Sequence, residues 1–257
     1  APAPARGCRV IDAGRRQPLD VAVEVPEETL SAVPSRTAWD DVYARIERYL
    51  AEHRTTLIFV KGRRLAERMA HDLEQRLGEG AVAAHHGALS KRTRLAVEQR
   101  LQTGAIKAVV ATSSLELGID VGDVELVVQI GSPRSIAVLR QRVGRACHAV
   151  GGTPKGRIFA LTQDELLECA AGVRAMRAGR IDRPVVREAP LDILAQQLVA
   201  TCATGEWDVE ALWALVRRAA PYAGLERREF EQVIEMLGDG ISTRRGRAGA
   251  FVHLDKI

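Results

Sequence analysis

Apolar positions along the chain follow two alternating patterns, short continuous runs and stripes with helical spacing. Five runs each predict a strand, at residues 56–60, 82–86, 106–111, 126–130 and 157–161. Between the first two runs, Leu65, Met69 and Leu73 recur on one helix face, and Gly78 follows as a stop signal. Residues 20–25 alternate in polarity and fit either a strand or an extended linker. Strands alternating with helices predict an α/β fold with a parallel sheet covered by helices on both faces.

Capping residues predict where the other helices of this region begin. Thr37 with Asp40 predicts the N-terminus of one helix, and Ser90 predicts the cap of another. Two further helices are expected from about Ser135 and Asp164.

The pattern changes near residues 181–184. Three helix-like runs follow, at residues 191–203, 209–220 and 228–237. Two short strand candidates then flank a basic turn around residues 244–247, so the order predicts a winged helix. The alternative is a helical bundle with a frayed tail, which the glycine-containing turn disfavours. We therefore expect two domains, 1–182 with an N-terminal linker and 183–257.

The candidate recognition helix of the second domain is acidic. Residues 226–239 contain five acidic and two basic side chains. A helix with that balance reads the major groove of DNA poorly, because the DNA backbone is negatively charged. We expect this domain to be a scaffold or strand guide that is basic only at the hairpin.

Composition bounds the classes of function. The chain has 257 residues, a net charge of +4 and a pI of about 9.1, which permits a nucleic-acid partner. The four cysteines are far apart, at Cys8, Cys147, Cys169 and Cys202. Without a CxxC pair, neither a zinc site nor a disulfide framework is predicted, and the adjacent His85 and His86 lack further clustered ligands. No signal peptide or membrane-spanning run is evident, so we expect a cytoplasmic protein without a membrane partner.

One segment, residues 141–148, concentrates unusual chemistry. Gln141, Arg145 and His148 fall on one face if the segment is helical. From residue 134 to 157 there are six Lys or Arg and no Asp or Glu, so local counter-charges are missing. Either these residues form a basic helix end that favours the helix dipole, or they clamp a phosphate with arginine forks.

A second segment, residues 111–120, follows an apolar strand-like run and begins with Thr112 and Ser113. A strand that ends in hydroxyl residues and opens a helix offers free N–H groups to an anion. The two segments resemble motifs V and VI of superfamily 2 helicases. The stretches ATSSLELGID, VVQIGSPRSIA, QRVGRACH and APLDILAQQLVA are similar to the large helicase-related (Lhr) family over nearly the whole chain. This resemblance implies a second RecA-like domain followed by a winged helix.

The resemblance also implies roles in nucleotide hydrolysis. Arg145 corresponds to the arginine finger that reaches the γ-phosphate across the inter-domain cleft. Gln141 would orient the attacking water or contact that phosphate, and His148 stands where many helicases have another arginine. The implied nucleotide-binding residues are Gly118, Asp120 and Arg142. The simpler alternative for Asp120 is a turn residue.

The nucleic-acid contacts implied by the resemblance lie at several strand ends and in the hairpin. They are Arg63, Arg64, His86, Gly87, Thr112, Ser113, Arg244, Arg245 and Arg247. Thr112 would hold a strand phosphate, with a plain helix cap as the alternative. Arg63 and Arg64 follow a strand as in motif IV, where a solvated first turn is nearly as good an explanation.

Two helicase motifs are absent from these 257 residues, the GxxxxGK[ST] loop and the DExH box. Hydrolysis of ATP needs the lysine and the metal carboxylate that they supply. We therefore expect ATP and Mg²⁺ to be bound mainly by a preceding RecA-like domain of the same protein. The implied activity of the whole is an ATP-dependent 3′–5′ DNA helicase that acts on single-stranded DNA and on DNA or RNA–DNA duplexes in repair. The alternative is a non-catalytic nucleic-acid-binding module derived from a helicase half.

Overall fold

The computed structural model describes residues 11, 18–116, 122–146, 152–243 and 246–255, with the two short strands near the C-terminus described at the backbone level. The chain divides into two compact units between Asp182 and Arg183.

The first unit contains six strands and five helices among its described residues. The strands are β1 (Asp20–Glu24), β2 (Thr56–Phe59), β3 (Val82–His85), β4 (Ala108–Ala111), β5 (Leu126–Ile130) and β6 (Lys155–Phe159). The helices are α1 (Arg36–Glu52), α2 (Arg63–Leu77), α3 (Lys91–Gln102), α4 (Ile136–Val143) and α5 (Gln163–Arg177).

The strands form one parallel sheet in the order β1-β6-β5-β2-β4-β3. One face of the central strands packs against α1 and α2, where Ile46 and Met69 are fully buried. The opposite face packs against α3 through Leu101. Because both faces are covered, β2, β4 and β5 are buried along their whole length, and the predicted α/β class is confirmed.

The helix caps correct one prediction. Helix α1 is capped by Ser35, whose hydroxyl accepts from the amide of Ala38, so Thr37 lies inside the first turn. The predicted cap Ser90 is confirmed, and Ser135, near which a helix is expected to begin, caps α4; each hydroxyl accepts from a backbone amide three residues on. Helix α5 is capped by Thr162, two residues before the predicted start.

The second unit contains α6 (Leu191–Cys202), α7 (Val209–Val216) and α8 (Arg227–Asp239), followed by the antiparallel strands β7 (Ile241–Thr243) and β8 (Gly246–Ala248). Its core surrounds Phe230, which is fully buried among side chains from all three helices. Three helices and a hairpin confirm the predicted winged helix. Within the described part of the chain, no helix is both long and apolar enough to cross a membrane.

Candidate functional site

Three adjacent strands, β2, β4 and β3, end level with one another at one edge of the sheet. Phe59 and His85 both pair with Ala111, the last residue of β4. The segments that follow contain the candidate nucleic-acid residues of this unit. Because parallel strands present their carboxyl ends at one edge, these candidates are neighbours in space although they are far apart in sequence.

The candidates at this edge differ in exposure. Arg63 and Arg64 open α2, are exposed, and make no ion pair with any other described residue. Ser113 and Gly87 are exposed as well, and Thr112 is half-buried. The segment after β4, where the sequence predicts the opening of a helix, begins with a three-residue 3₁₀ turn, Ser113–Leu115; residues 117–121 lie outside the described part of the chain. Two arginines and a hydroxyl are thus available to solvent at neighbouring strand ends.

The imidazole of His86 is placed differently from the prediction. It is 5% exposed, and its Nε2 lies 2.6 Å from Oε1 of Glu67 on α2. A side chain that is buried and already paired is not exposed to a nucleic-acid strand. Of the two residues predicted here, Gly87 is the one that solvent reaches, and a contact there would use the backbone.

His85, for which the sequence predicts no metal site, is the centre of a buried polar network. Its Nε2 lies 3.0 Å from Oε1 of Glu98, and its Nδ1 lies 2.7 Å from the hydroxyl of Ser114. Burial lowers the pKa of His85, against the opposing effect of Glu98, so the ring is neutral near pH 7. A neutral ring has one hydrogen to donate, which Nε2 directs at the Glu98 carboxylate, while the Ser114 hydroxyl donates to the backbone carbonyl of His85 over 2.9 Å. This network ties the end of β3 to the turn after β4.

The candidate nucleotide residues lie on and just after α4. Gln141 is exposed in the last turn of that helix. Arg145 is half-buried, and its Nη2 donates to the backbone carbonyl of Glu116 over 2.9 Å. The arginine that motif VI implies as the finger therefore touches the segment that follows β4.

Arg142, predicted to bind the nucleotide, is engaged inside the protein. The residue is 8% exposed, and its guanidinium lies 4.9 Å above the ring of Phe59. Nε donates to the Glu116 carboxylate over 2.9 Å, Nη2 donates to the same carboxylate, and Nη1 donates to Oε1 of Gln129 over 2.6 Å. This placement does not fit direct contact with a nucleotide, because all three donor nitrogens already face protein acceptors.

Gln129 completes this buried cluster. It is fully buried in β5, and its amide donates to the carbonyl groups of Ile130 and Gly131, each over 3.0 Å. Its side-chain oxygen is thereby directed at Arg142. Neither Glu116 nor Gln129 is singled out by the sequence patterns. The sequence offers a signal only for Glu116, which is a single carboxylate between the apolar residues Leu115 and Leu117.

Several predicted residues lie outside the described part of the chain. These are Gly118, Asp120, His148, Arg244 and Arg245, and Arg247 is described only through the backbone of β8. In the winged helix, Arg227 at the start of α8 pairs with Glu210 and Glu231, each at 2.6 Å. One of the two basic residues of that acidic helix is thus already neutralised.

Comparison with known proteins identifies the two domains. Residues 41–149 match the helicase conserved C-terminal domain, and residues 174–247 match the winged helix domain of the large helicase-related protein. The chain is 36% identical over 250 residues to ATP-dependent helicase Lhr-Core protein 2 of Thermococcus barophilus, covering 96% of this chain and 29% of that protein. It is 35% identical over 252 residues to ATP-dependent helicase Lhr-Core of Methanocaldococcus jannaschii, covering 98% and 30%.

A solved structure is similar as well. The Mycobacterium smegmatis helicase Lhr bound to ssDNA and AMP-PNP superposes with a TM-score of 0.78 at 38% identity, covering 91% of this chain and 32% of that one. The fold and the two domain matches thus define the second RecA-like half of a superfamily 2 helicase core, joined to a winged helix. The chain belongs to the large helicase-related (Lhr) family. It spans about 30% of the length of the curated Lhr-Core relatives that it matches.

Proposed function

We propose that this chain is the second motor half of an ATP-dependent DNA helicase of Lhr type. In this proposal the complete protein moves 3′ to 5′ on single-stranded DNA and unwinds DNA or RNA–DNA duplexes in DNA repair. ATP and Mg²⁺ are its cofactors, and a preceding RecA-like domain of the same protein makes most of their contacts.

One observation carries the proposal, the contact between the two candidate sites. Arg145, on the nucleotide side, donates to Glu116, which lies three residues after the strand-side candidate Ser113. A motor needs its nucleotide site to respond to the strand that it holds, and here the two are joined by one hydrogen bond. The similar M. smegmatis structure, which holds ssDNA and AMP-PNP, supports the assignment of both ligand classes.

The donor set fits the phosphate end of ATP. Gln141 and Arg145 offer an amide and a guanidinium, and the described residues contain no group of three His, Cys, Asp or Glu that could hold a metal. We therefore assign the Mg²⁺ contacts to the preceding domain. When bound, ATP supplies the phosphoryl group that is transferred to water. Arg145 neutralises charge that develops on that group, which contributes about 10³–10⁵ in rate for comparable fingers.

The decisive experiment replaces Arg145 in the full-length protein. Arg145→Ala should lower the rate of ATP hydrolysis by roughly 10³-fold or more, with single-stranded DNA affinity nearly unchanged, because a finger acts on the transition state. The matched control is Arg140→Ala, an exposed arginine on α4, five residues before Arg145, whose side chain has no described partner. Hydrolysis near the wild-type rate in Arg145→Ala would refute the finger assignment.

The 257-residue chain by itself should not hydrolyse ATP, because its sequence contains neither the GxxxxGK[ST] loop nor the DExH box. Phosphate release would be measured with saturating single-stranded DNA and Mg²⁺. Turnover clearly above a blank without protein would refute the proposal that the ATP site is divided between this chain and a preceding domain. If the full-length protein binds DNA but does not hydrolyse ATP, the alternative of a non-catalytic binding module stands instead.

Nucleic-acid binding by this chain should be weak, dependent on salt and indifferent to sequence, because the candidate contacts address phosphates. Loss of Arg63 or Arg64 should each reduce the slope of log affinity against log salt by about 0.7 for a single strand. Arg48→Ala is the control, since that exposed arginine lies near the end of α1, at the opposite edge of the sheet. The assay is fluorescence anisotropy with two unrelated single strands and one duplex. Tight, sequence-specific duplex binding would contradict this expectation and show that the winged helix recognises bases.

A further inference from the structure

We propose that Glu116 is a positioning residue that sets the arginine finger and links it to the strand-binding turn at Thr112 and Ser113. The inference rests on the function proposed above, since it concerns how hydrolysis responds to a bound strand. Glu116 touches neither ligand in this scheme. It acts through the hydrogen bonds that it makes to the two arginines of motif VI.

The side-chain carboxylate and the backbone carbonyl of Glu116 bind different arginines. Its carboxylate accepts from Nε and Nη2 of Arg142, and its backbone carbonyl accepts from Nη2 of Arg145 over 2.9 Å. The Glu116 and Arg142 side chains are 13% and 10% exposed, so water competes little for this pair. Holding the side chain restricts the backbone of Glu116, and its carbonyl then limits where Arg145 can point.

The support behind Glu116 is rigid. Arg142 is held by Gln129 on β5 and lies over Phe59 on β2, and both strands are in the centre of the sheet. Glu116 is therefore anchored to the sheet through its side chain, although it belongs to the loop after β4. A buried polar cluster with its partners in place holds one arrangement more firmly than a solvated loop does.

The connection from Glu116 to the strand side is short. The amide of Glu116 donates to the carbonyl of Ser113 over 3.2 Å, and the amide of Thr112 donates to the carbonyl of His85 over 3.2 Å. Ser114 is held by the buried His85 network. A phosphate seated on Thr112 or Ser113 thus acts on a turn that is fixed at both ends, and the last residue of that turn holds the finger.

The test compares Glu116→Gln, Arg142→Gln and the double variant in the full-length protein. Each single variant should lower the DNA-stimulated rate of ATP hydrolysis by about 10- to 100-fold, since a misplacement of about 1 Å costs this much in a reacting geometry. The KM for ATP and the affinity for single-stranded DNA should stay within about twofold. The double variant should be no slower than the worse single variant, because the two residues act as one unit.

The control is Glu47→Gln, which breaks a more exposed ion pair with Arg76 between α1 and α2. Because an unpaired buried arginine destabilises a domain, Glu116→Leu with Arg142→Met removes both charges together. If this apolar pair folds and hydrolyses ATP as the wild type does, the proposal is wrong. It is equally wrong if every variant loses activity only in proportion to its loss of folded protein. A wild type without DNA-stimulated hydrolysis would instead refute the proposed function itself.

Discussion

Gly156 offers a test of how tightly the sheet supports α4, the helix that leads to Arg145. It lies in β6 and pairs with Val21 on one side and Val127 on the other, so the strand cannot shift sideways. A Cβ placed on Gly156 would lie 2.8 Å from Cγ2 of Val143, the last residue of α4. Carbon atoms prefer about 3.5–4.0 Å, so Gly156→Ala must displace α4 by roughly 0.7 Å or more.

This displacement has a measurable cost. Overpacking a close-packed core destabilises a protein by about 1–3 kcal/mol. For a unit of this size, each kcal/mol lowers Tm by roughly 2–4 °C, so we expect a decrease of about 2–12 °C in thermal unfolding followed by circular dichroism. Hydrolysis by the full-length variant should fall as well, because Val143 lies two residues before Arg145.

Gly172 supplies a control with the opposite sign. It lies inside α5, and a Cβ there would meet Cδ2 of Leu139 on α4 at 3.6 Å, an ordinary contact. Gly172→Ala should therefore raise stability by about 0.5–1 kcal/mol through helix propensity. Adding Val143→Ala to Gly156→Ala should recover part of the loss, since the clashing methyl group is gone. A Gly156→Ala protein as stable as the wild type would refute the packing argument.

Three further predictions follow from the ionisable groups. Burial lowers the pKa of His85 from 6.5, so the unfolded chain binds more protons than the folded chain and stability should fall as pH drops below about 6.5. In the His85→Gln variant, Tm should depend less on pH between 7.5 and 5.5 than it does in the wild type. Cys169 is 1% exposed, and burial raises the pKa of its thiol to about 12, so mass mapping after alkylation should show Cys202 modified while Cys169 reacts only on unfolding. Asp182 accepts from Ser135 and from the amide of Ala137, which lowers its pKa; Asp182→Ala should speed amide exchange in the first turn of α4 with little change in Tm.

Local patterns predicted the elements well, because apolar runs and caps act within a few residues. The runs at 56–60 and 126–130 match β2 and β5 within one residue. The cap of α1 was misplaced by two residues, since Ser35, Thr37 and Asp40 all suit a helix start, and tertiary contacts select one of them. Strand order could not be read from the sequence, because it depends on how distant segments pair.

The local charge pattern was also a poor guide, because ion pairs form between segments that are distant in sequence. The stretch 134–157 has no local carboxylates, which favoured exposed arginines there. Two of them are paired with acids far away in sequence, Arg142 with Glu116 and Arg157 with Asp20. Local charge balance therefore says little about whether a particular arginine is free, since a folded chain supplies counter-charges from any distance.

The sheet topology explains why one loop residue can join two binding functions. The order β5-β2-β4-β3 places the strand-side candidates just after the ends of β2, β4 and β3 and the nucleotide-side helix after β5. Strand β2 therefore lies between β5 and β4, and the side chain of Phe59 at its end is the surface on which Arg142 rests. A direct contact between the residues that follow β4 and the helix that follows β5 must therefore cross β2. Glu116 makes that crossing, because the turn after β4 carries its backbone toward Arg145 while its carboxylate meets Arg142 above β2. A carboxylate suits this position because it alone accepts two donors from a buried guanidinium and neutralises its charge at the same time.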